Sequence, residues 1–237
     1  TAAVRGTLTK TRYHHGAVGN ALYGYFGGGN APSISSDIER IDFSNDTALA
    51  QIKGQLSSTR EQFRGVTTLE ENALPKTYLQ GTVGAYGAGY IAGGRGPGPS
   101  DYRSDISRID YSNDTALEIR GPLSNARLLT SGTGSSSHGY ISGGRLSPGV
   151  VSTVERIDYS NDTPTASVRG QLSAARYAIA GVYNVNFGYS AGGTSPTQTT
   201  VDRLDYGSDT TTAVAKGPLN TARGYISGVG NKSHGYF

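Results

Sequence analysis

Residues 156–163 read Arg-Ile-Asp-Tyr-Ser-Asn-Asp-Thr. In the first four residues apolar and charged side chains alternate, as they do in a β-strand with one buried face. The Ser-Asn-Asp-Thr segment is typical of a tight turn, because Asn and Asp side chains hydrogen-bond to their own backbone. The same octad recurs with small changes at 40–47, 108–115 and 203–210. The stretch therefore predicts a strand and turn that the chain uses repeatedly.

The recurrences divide the chain into units of about 48 residues. Spacings of 68, 48 and 47 residues separate the first aspartates of the octads, Asp42, Asp110, Asp158 and Asp205. Two other elements keep this period: a Gly-Tyr strand that ends in a Gly pair, as at 139–144, and a strand that ends in Gly-x-Leu before an Arg, as at 170–176. With the strand that follows the Arg, each unit offers four short strands. This period is typical of β-propeller blades.

We therefore expect one all-β domain over residues 1–237, a β-propeller of four-stranded antiparallel blades. The Arg-Ile-Asp strand occurs four times, whereas each of the other three strands occurs five times. We expect five blades, the fifth incomplete, closed into a ring by the N-terminal strand at residues 1–6, because closure removes free sheet edges. The longest spacing predicts an insertion in the second repeat, which we assign to residues 57–73.

The composition excludes several classes of protein. The chain has 35 Gly and 16 Tyr but no Cys, Met or Trp, so disulfide and thiolate chemistry are absent. A formal charge of +3, dispersed along the chain, is too balanced for a nucleic-acid-binding surface. No apolar run approaches the roughly 18 residues of a membrane span. We expect neither a nucleic-acid partner nor membrane insertion.

The recurring Gly pair at 143–144, the pair Asp158-Tyr159 and the later Arg176 resemble the kelch repeat. The chain departs from that pattern because it has no Trp, and small residues such as Ala48 and Ala116 stand in its place. The variant Ile-Asp-Tyr-Ser-Asn-Asp-Thr is also similar to repeats of structural and tail-associated proteins of marine bacteriophages. These resemblances imply a kelch-like propeller in a virion, tail fibre or cell surface, and therefore a virion or extracellular location.

The repeated charges predict a structural network. The Arg and first Asp of each octad point to the same side of one strand, and a buried charge is tolerated only when it is paired. We expect ion pairs between blades from Arg40, Asp42, Arg108, Asp110, Arg156, Asp158, Arg203 and Asp205. The alternative is that the aspartates of the turn bind calcium, but a calcium site requires six to eight oxygen ligands. We expect no metal and no other cofactor.

Ligand contacts are expected where the repeat is irregular. The insertion and the long loop at 94–104 belong to one blade and are predicted to emerge on the same face. Long loops on a rigid scaffold are where binding residues concentrate. The candidate ligand-binding residues are Arg64, Arg95, Asp101, Tyr102 and Arg103. The alternative is that the insertion covers a subunit contact.

No local motif for a nucleophile, a phosphate-binding loop or a metal-bound water occurs in the sequence. We therefore expect no catalytic residues and no enzyme. The predicted function is a binding or structural module that recognises a host glycan or docks to another protein or to copies of itself. Two alternatives remain open: a glycan-active enzyme with a site in the central channel, and a purely architectural subunit of an oligomer.

Overall fold

The computed structural model describes residues 3–30, 32–67, 87–113, 118–231 and 233–237. Within these ranges the regular structure consists of β-strands and two short 3-10 helices, Phe43–Asn45 and Tyr206–Ser208. No helix in the described ranges is long and apolar enough to cross a membrane. The described part of the chain is therefore all-β.

Sixteen of the strands form four antiparallel sheets, in each of which neighbouring strands follow one another along the chain. Sheet 1 contains β1 (Gly16–Gly19), β2 (Tyr23–Gly27), β3 (Asp37–Asp42) and β4 (Gln51–Gln55). Sheet 2 contains β5 (Arg64–Thr67), β6 (Ala88–Ala92), β7 (Ile106–Asp110) and β8 (Glu118–Arg120). Sheet 3 contains β9 (Ser131–Gly134), β10 (His138–Ser142), β11 (Thr153–Asp158) and β12 (Ser167–Gln171). Sheet 4 contains β13 (Ala180–Tyr183), β14 (Phe187–Ala191), β15 (Thr200–Asp205) and β16 (Val214–Pro218). A two-stranded sheet follows, formed by β17 (Val229–Gly230) and β18 (Gly235–Tyr236).

The first strands of consecutive sheets pack against one another, so β1, β5, β9, β13 and β17 lie side by side in that order. Glycines permit this close approach. A Cβ added at Gly132 would lie 2.5 Å from the carbonyl oxygen of Gly65, and one added at Gly181 would overlap that of Gly132. Because each sheet meets its neighbours through its first strand, the sheets radiate from a common axis. The expected all-β, propeller-like architecture of four-stranded antiparallel sheets is confirmed.

Stacked tyrosines join consecutive sheets. In each pair, the Tyr of a Gly-Tyr strand lies against the Tyr of the octad in the next sheet, with ring centroids 4.8–5.1 Å apart. The pairs are Tyr25–Tyr111, Tyr90–Tyr159 and Tyr140–Tyr206. An offset aromatic pair contributes about 0.5–1.5 kcal/mol beyond the burial of its area. In a chain without Trp, these tyrosine pairs supply stacked aromatic contacts between the sheets.

Each four-stranded sheet holds a buried ion pair where the chain enters it. The Arg that follows Gly-x-Leu pairs with an acidic residue on, or just before, the third strand of the same sheet. The pairs are Arg12–Glu39, Arg60–Asp105, Arg127–Glu155 and Arg176–Asp202. Each Arg is at most 9% exposed, so the carboxylate is needed to offset the cost of burying its charge.

The first aspartate of the octad was expected to join blades, and the structure corrects this. Asp42, Asp110 and Asp158 accept hydrogen bonds from both the backbone N–H and the hydroxyl group of the Ser two residues later. Asp205 accepts the N–H of Gly207. Hydrogen bonds from the following Ser hold the pKa of Asp158 below its usual value. The side chain is short and reaches its own turn first, so these aspartates stabilise turns at the surface.

The second aspartate of the octad makes the contacts between sheets. Arg108 donates to Asp162 over 3.1 Å, and Arg156 donates to Asp209 over 2.9 Å, each from the preceding sheet. Both aspartates are buried. Burial acts to raise the pKa of Asp209, but hydrogen bonds from the preceding sheet and the charges of its arginines outweigh this effect and lower that pKa. The charge network between sheets therefore exists, with a different aspartate.

The other two arginines of the octads pack on aromatic rings. The guanidinium carbon of Arg40 lies 4.1 Å from the ring centroid of Tyr23, and that of Arg203 lies 4.3 Å from the centroid of Phe187. By repeat position, Asp114 is to Arg40 what Asp162 is to Arg108. Asp114 lies outside the described residues.

The insertion in the second repeat does not begin at residue 57. Residues 57–67 follow the regular course into β5, which pairs with β6. The connection from β5 to β6 spans residues 68–87, whereas residues 20–22 suffice in sheet 1; residues 68–73 of the predicted insertion lie outside the described residues. Because successive strands alternate in direction, this connection joins the sheet at the end opposite to the loop at 94–104. The prediction that the two share a face is wrong.

The two ends of the described chain contact the four-stranded sheets but belong to none of them. Residues 3–8 run along the turn of sheet 1, where Ala50 N–H donates to the Thr7 carbonyl over 2.9 Å and Arg5 lies 3.7 Å from Asp46. Within the described residues, 3–8 belong to no strand and β18 pairs only with β17.

Candidate functional site

One end of the axis is built from residues with left-handed backbone conformation. His14, Gln62, Leu129, Ala178 and Tyr225 have φ between 56° and 59°, a region that residues other than Gly rarely adopt. From Gln62 onward, each of these residues donates its N–H to the carbonyl of the corresponding residue in the preceding sheet, over 2.8–3.0 Å. These bonds stabilise the conformation and link the sheets in an arc. We call this end of the axis the axial mouth.

Arg64 is the first residue of β5 at the axial mouth. The corresponding first residues of β1, β9 and β13 are Gly16, Ser131 and Ala180. The Arg64 side chain is partly buried and donates to the carbonyl of Phe63 over 3.3 Å. Burial lowers the pKa of Arg64, although an arginine stays protonated at neutral pH. Among the described residues Arg64 forms no ion pair with a carboxylate.

A buried carboxylate lies beside this arginine in the chain. Glu61 is 1% exposed and forms an ion pair with Arg95, and its second oxygen is 3.5 Å from Nδ1 of His14. The Nδ1 atom of His15 is buried and has no hydrogen-bond partner among the described residues. Burial, reinforced by nearby arginines, lowers the pKa of His15. The uncharged form of His15 is therefore favoured at neutral pH.

Aromatic rings and a further arginine border the mouth. Tyr102 and Tyr177 pack against the buried cluster of Leu128, Leu129 and Ala178. The guanidinium carbon of Arg145 lies 5.8 Å from the ring centroid of Tyr177, and Arg145 forms no ion pair with a carboxylate in the described ranges. Arg64 and Arg145 thus leave the mouth positively charged. A partly buried guanidinium binds carboxylate or phosphate more strongly than one in bulk water does.

The structure divides the predicted ligand-binding residues into two groups. Arg64 and Arg95 lie at the mouth, although Arg95 already holds Glu61. Asp101 and Arg103 pair with each other over 2.8 Å, whereas Tyr102 borders the mouth with its ring packed against Leu128, Leu129 and Ala178. Arg64 is the one charged member of the predicted set that forms no ion pair among the described residues.

Sequence reasoning missed His14, His15 and Glu61. A signal was present, because these residues follow, within three positions, the Arg that enters each sheet. The other repeats have apolar or uncharged residues at most of these positions. Comparing the repeats position by position would also have marked Arg64, which stands where other repeats have Gly, Ser or Ala.

Among the described residues, no group of three or more His, Asp or Glu side chains has an arrangement that could hold a metal ion.

Comparison with known proteins identifies a similar fold but no family. No protein-family model matches the sequence, and no curated protein matches it. Among solved structures, the one titled "Structure of YjhT" matches with a TM-score of 0.68 and 10% sequence identity. The match covers 92% of this chain and 74% of that chain. At this identity the likeness concerns the fold alone.

Proposed function

We propose that the protein is a non-catalytic binding module whose axial mouth recognises an acidic group on a surface glycan. The observation that carries the proposal is Arg64, a partly buried guanidinium without a carboxylate partner among the described residues. A ligand carboxylate would supply that partner through a charge-assisted, bidentate hydrogen bond. Tyr177 offers a ring face to the remaining sugar.

The setting proposed for this activity is a virion, tail fibre or cell surface, and it rests on the resemblance of the octads to bacteriophage repeats. Docking to another protein or to copies of the chain is compatible with the same scaffold. An architectural subunit is the alternative in which the mouth binds no glycan.

A glycan-active enzyme is the second candidate, and one contact favours it. Glu61 and His14 lie 3.5 Å apart at the mouth, so the buried carboxylate could orient the more exposed imidazole of His14 to exchange a proton with a bound ligand. The ion pair of Glu61 with Arg95 opposes this role, because it occupies the carboxylate. Binding without turnover is therefore the function that we favour.

The experiment is a glycan array followed by a hydrolysis assay on every glycan that binds. We expect Arg64→Met to reduce binding of carboxylate-bearing glycans by at least about tenfold and to leave any neutral glycan unaffected. Arg103→Met is the matched control, because Arg103 already pairs with Asp101. Turnover that disappears in Glu61→Gln would establish the enzyme instead, and absence of glycan binding with a stable oligomer by light scattering would establish the architectural subunit.

We further propose that the fold is a kelch-like ring of five blades, with β17–β18 as the incomplete fifth blade and the N-terminal segment as its outer strand. The path of residues 3–8 supports this, because they contact the turn of sheet 1 as an outer strand contacts the next sheet's turn elsewhere. In a closed ring, cysteines at Val4 and Tyr236 would lie two strand spacings, about 10 Å, apart, which is too far for a disulfide but within reach of a bismaleimide cross-linker of that length. Failure of the bismaleimide to cross-link the two cysteines within one molecule would contradict closure.

A further inference from the structure

In addition to the packing of their first strands, sheets 2 and 3 are joined by one turn of sheet 3. Tyr159 stacks on Tyr90 with ring centroids 5.0 Å apart. Three residues later, Asp162 accepts the Tyr90 hydroxyl over 2.9 Å and lies 3.1 Å from Arg108 and 3.4 Å from Arg120. The turn thus places an aromatic ring and a carboxylate on three strands of the preceding sheet.

The contact between sheets 3 and 4 repeats this arrangement. Tyr206 stacks on Tyr140 with centroids 4.8 Å apart. Asp209 accepts the Tyr140 hydroxyl over 3.1 Å and is 2.9 Å from Arg156 and 3.0 Å from Arg169. Sheets 2 and 3 are therefore each contacted by a Tyr-x-x-Asp turn of the next sheet.

A glycine on the outer strand lies directly against the backbone of the same turn. Gly121 N–H donates to the Asp162 carbonyl over 2.8 Å. A Cβ added at Gly6, Gly121 or Gly170 would overlap a carbonyl oxygen of the adjoining turn, whereas a Cβ at Gly217 would meet nothing within 4 Å. Gly217 has the same repeat position, and nothing approaches it in the described structure.

Sheet 4 presents the same receiving side chains. By repeat position, Tyr189, Arg203 and Lys216 correspond to the Tyr and the two arginines that hold Asp162. The Nε atom of Arg203 is buried and has no hydrogen-bond partner among the described residues. Tyr189 borders an open cleft of about 180 Å³, which is also lined by Val182, Tyr183, Asn184, Asn231, His234 and Phe237. The cleft lies where the ring of a stacked Tyr would enter.

We propose that Tyr189, Arg203, Lys216 and Gly217 form a docking socket for the Tyr-x-x-Asp turn of a further repeat of this chain's own type. The incoming Tyr stacks on Tyr189 in the cleft, and the incoming Asp accepts hydrogen bonds from Tyr189, Arg203 and Lys216. Its carbonyl lies over Gly217. The two cations and the single carboxylate are complementary in charge, as they are at both occupied contacts.

The strand that precedes such a turn has a place to pair. In sheet 3, Gly139 and Tyr140 pair with Ile157 and Arg156 of the third strand. The Gly-Tyr pair of β18 has the same repeat position, and its outer edge pairs with no strand of the described chain. An unpaired edge of this kind accepts an added strand. The occupant is therefore an Arg-Ile-Asp-Tyr strand together with its turn.

The test is binding of a synthetic peptide with the sequence of residues 151–166 to the 237-residue protein, measured by isothermal titration calorimetry. We expect saturable binding that weakens at least about tenfold when the peptide carries Asp162→Asn, because the buried carboxylate loses its charge. A peptide with Asp158→Asn is the matched control and should bind like the parent, because Asp158 stabilises only its own turn.

A variant of the protein separates docking from folding. Gly217→Val should leave the urea midpoint unchanged, because the valine side chain enters open space. It should lower the affinity for the peptide by at least about tenfold, because the valine side chain excludes the incoming carbonyl. Equal binding of the Asp162→Asn peptide, full binding to Gly217→Val, or no saturable binding up to about 1 mM would overturn the proposal. Loss of the glycan activity of the mouth would not bear on it, since the socket shares none of the mouth's residues.

Discussion

The two aspartates of the octad provide the sharpest test of the fold. We predict that Asp162→Asn destabilises the protein far more than Asp158→Asn does, although the two residues are four positions apart in one turn. Asp158 bonds to its own turn, and Asn performs that role nearly as well as Asp. Asp162 is 7% exposed; it accepts a hydrogen bond from the Tyr90 hydroxyl and forms ion pairs with Arg108 and Arg120.

The expected magnitude follows from these partners. Removing one member of a fully buried ion pair costs about 3–5 kcal/mol. The side chains of Arg108 and Arg120 are 26% and 18% exposed, so solvent offsets part of that cost, and we expect about 2–3 kcal/mol for Asp162→Asn. For a chain of this length, that corresponds to a fall in Tm of about 4–12 °C. Asp158→Asn should change stability by less than about 0.5 kcal/mol.

The assay is urea unfolding followed by circular dichroism at neutral pH, with Tm from calorimetry, on the parent and both variants. A shift of the urea midpoint in Asp162→Asn alone is the expected result. If Asp158→Asn were equally or more destabilising, the assignment of the inter-sheet contact to the second aspartate would be refuted.

Three further predictions concern burial and packing. Gly170→Ala should cost about 1–3 kcal/mol, because its Cβ would overlap a carbonyl oxygen of the next sheet; chemical denaturation measures this, with Gly217→Ala as the control expected to be neutral or slightly stabilising. Arg127→Met should cost about 3–5 kcal/mol by leaving the Glu155 charge buried without a partner, and the double variant with Glu155→Gln should regain more than half; no recovery would show that the pair is not coupled. The pKa of Asp209 is lower in the folded chain than in the unfolded chain, so its stabilisation is fully present above the usual aspartate pKa of about 4 and is lost as the pH falls below that value through the lower folded-state pKa. Asp209→Asn should therefore flatten the fall of the urea midpoint with acid, and an unchanged slope would contradict this.

The architecture was predictable because its signals are local. Alternation of apolar and charged residues in the octad indicates a half-buried strand, and the Asn and Asp that follow indicate a turn. The spacing of the octads then groups four strands into each unit. The insertion was misplaced by this reasoning, since the period alone does not tell on which side of β5 the extra residues lie.

The candidate site was only partly predictable. Arg64 and Arg95 were selected because they stand near irregular loops, and both lie at the axial mouth. The contribution of Glu61 and His14 was not foreseen, because their meeting depends on the backbone bond between Gln62 and the His14 carbonyl of the preceding sheet. Asp101 and Arg103 neutralise each other, which loop length does not indicate.

By itself, the amino-acid sequence determined the repeat, the strands and their turns, because hydrophobic alternation and side-chain bonds to the backbone act within a few residues. Only the tertiary structure decided which aspartate joins the sheets. Tyr90 and Asp162 are 72 residues apart in the chain, and their contact depends on how one sheet packs against the next. The same packing leaves Gly217 open and Arg64 without a carboxylate among the described residues. Binding is proposed at the axial mouth and at the socket because, among the described residues, Arg64 has no carboxylate partner and nothing packs over Gly217.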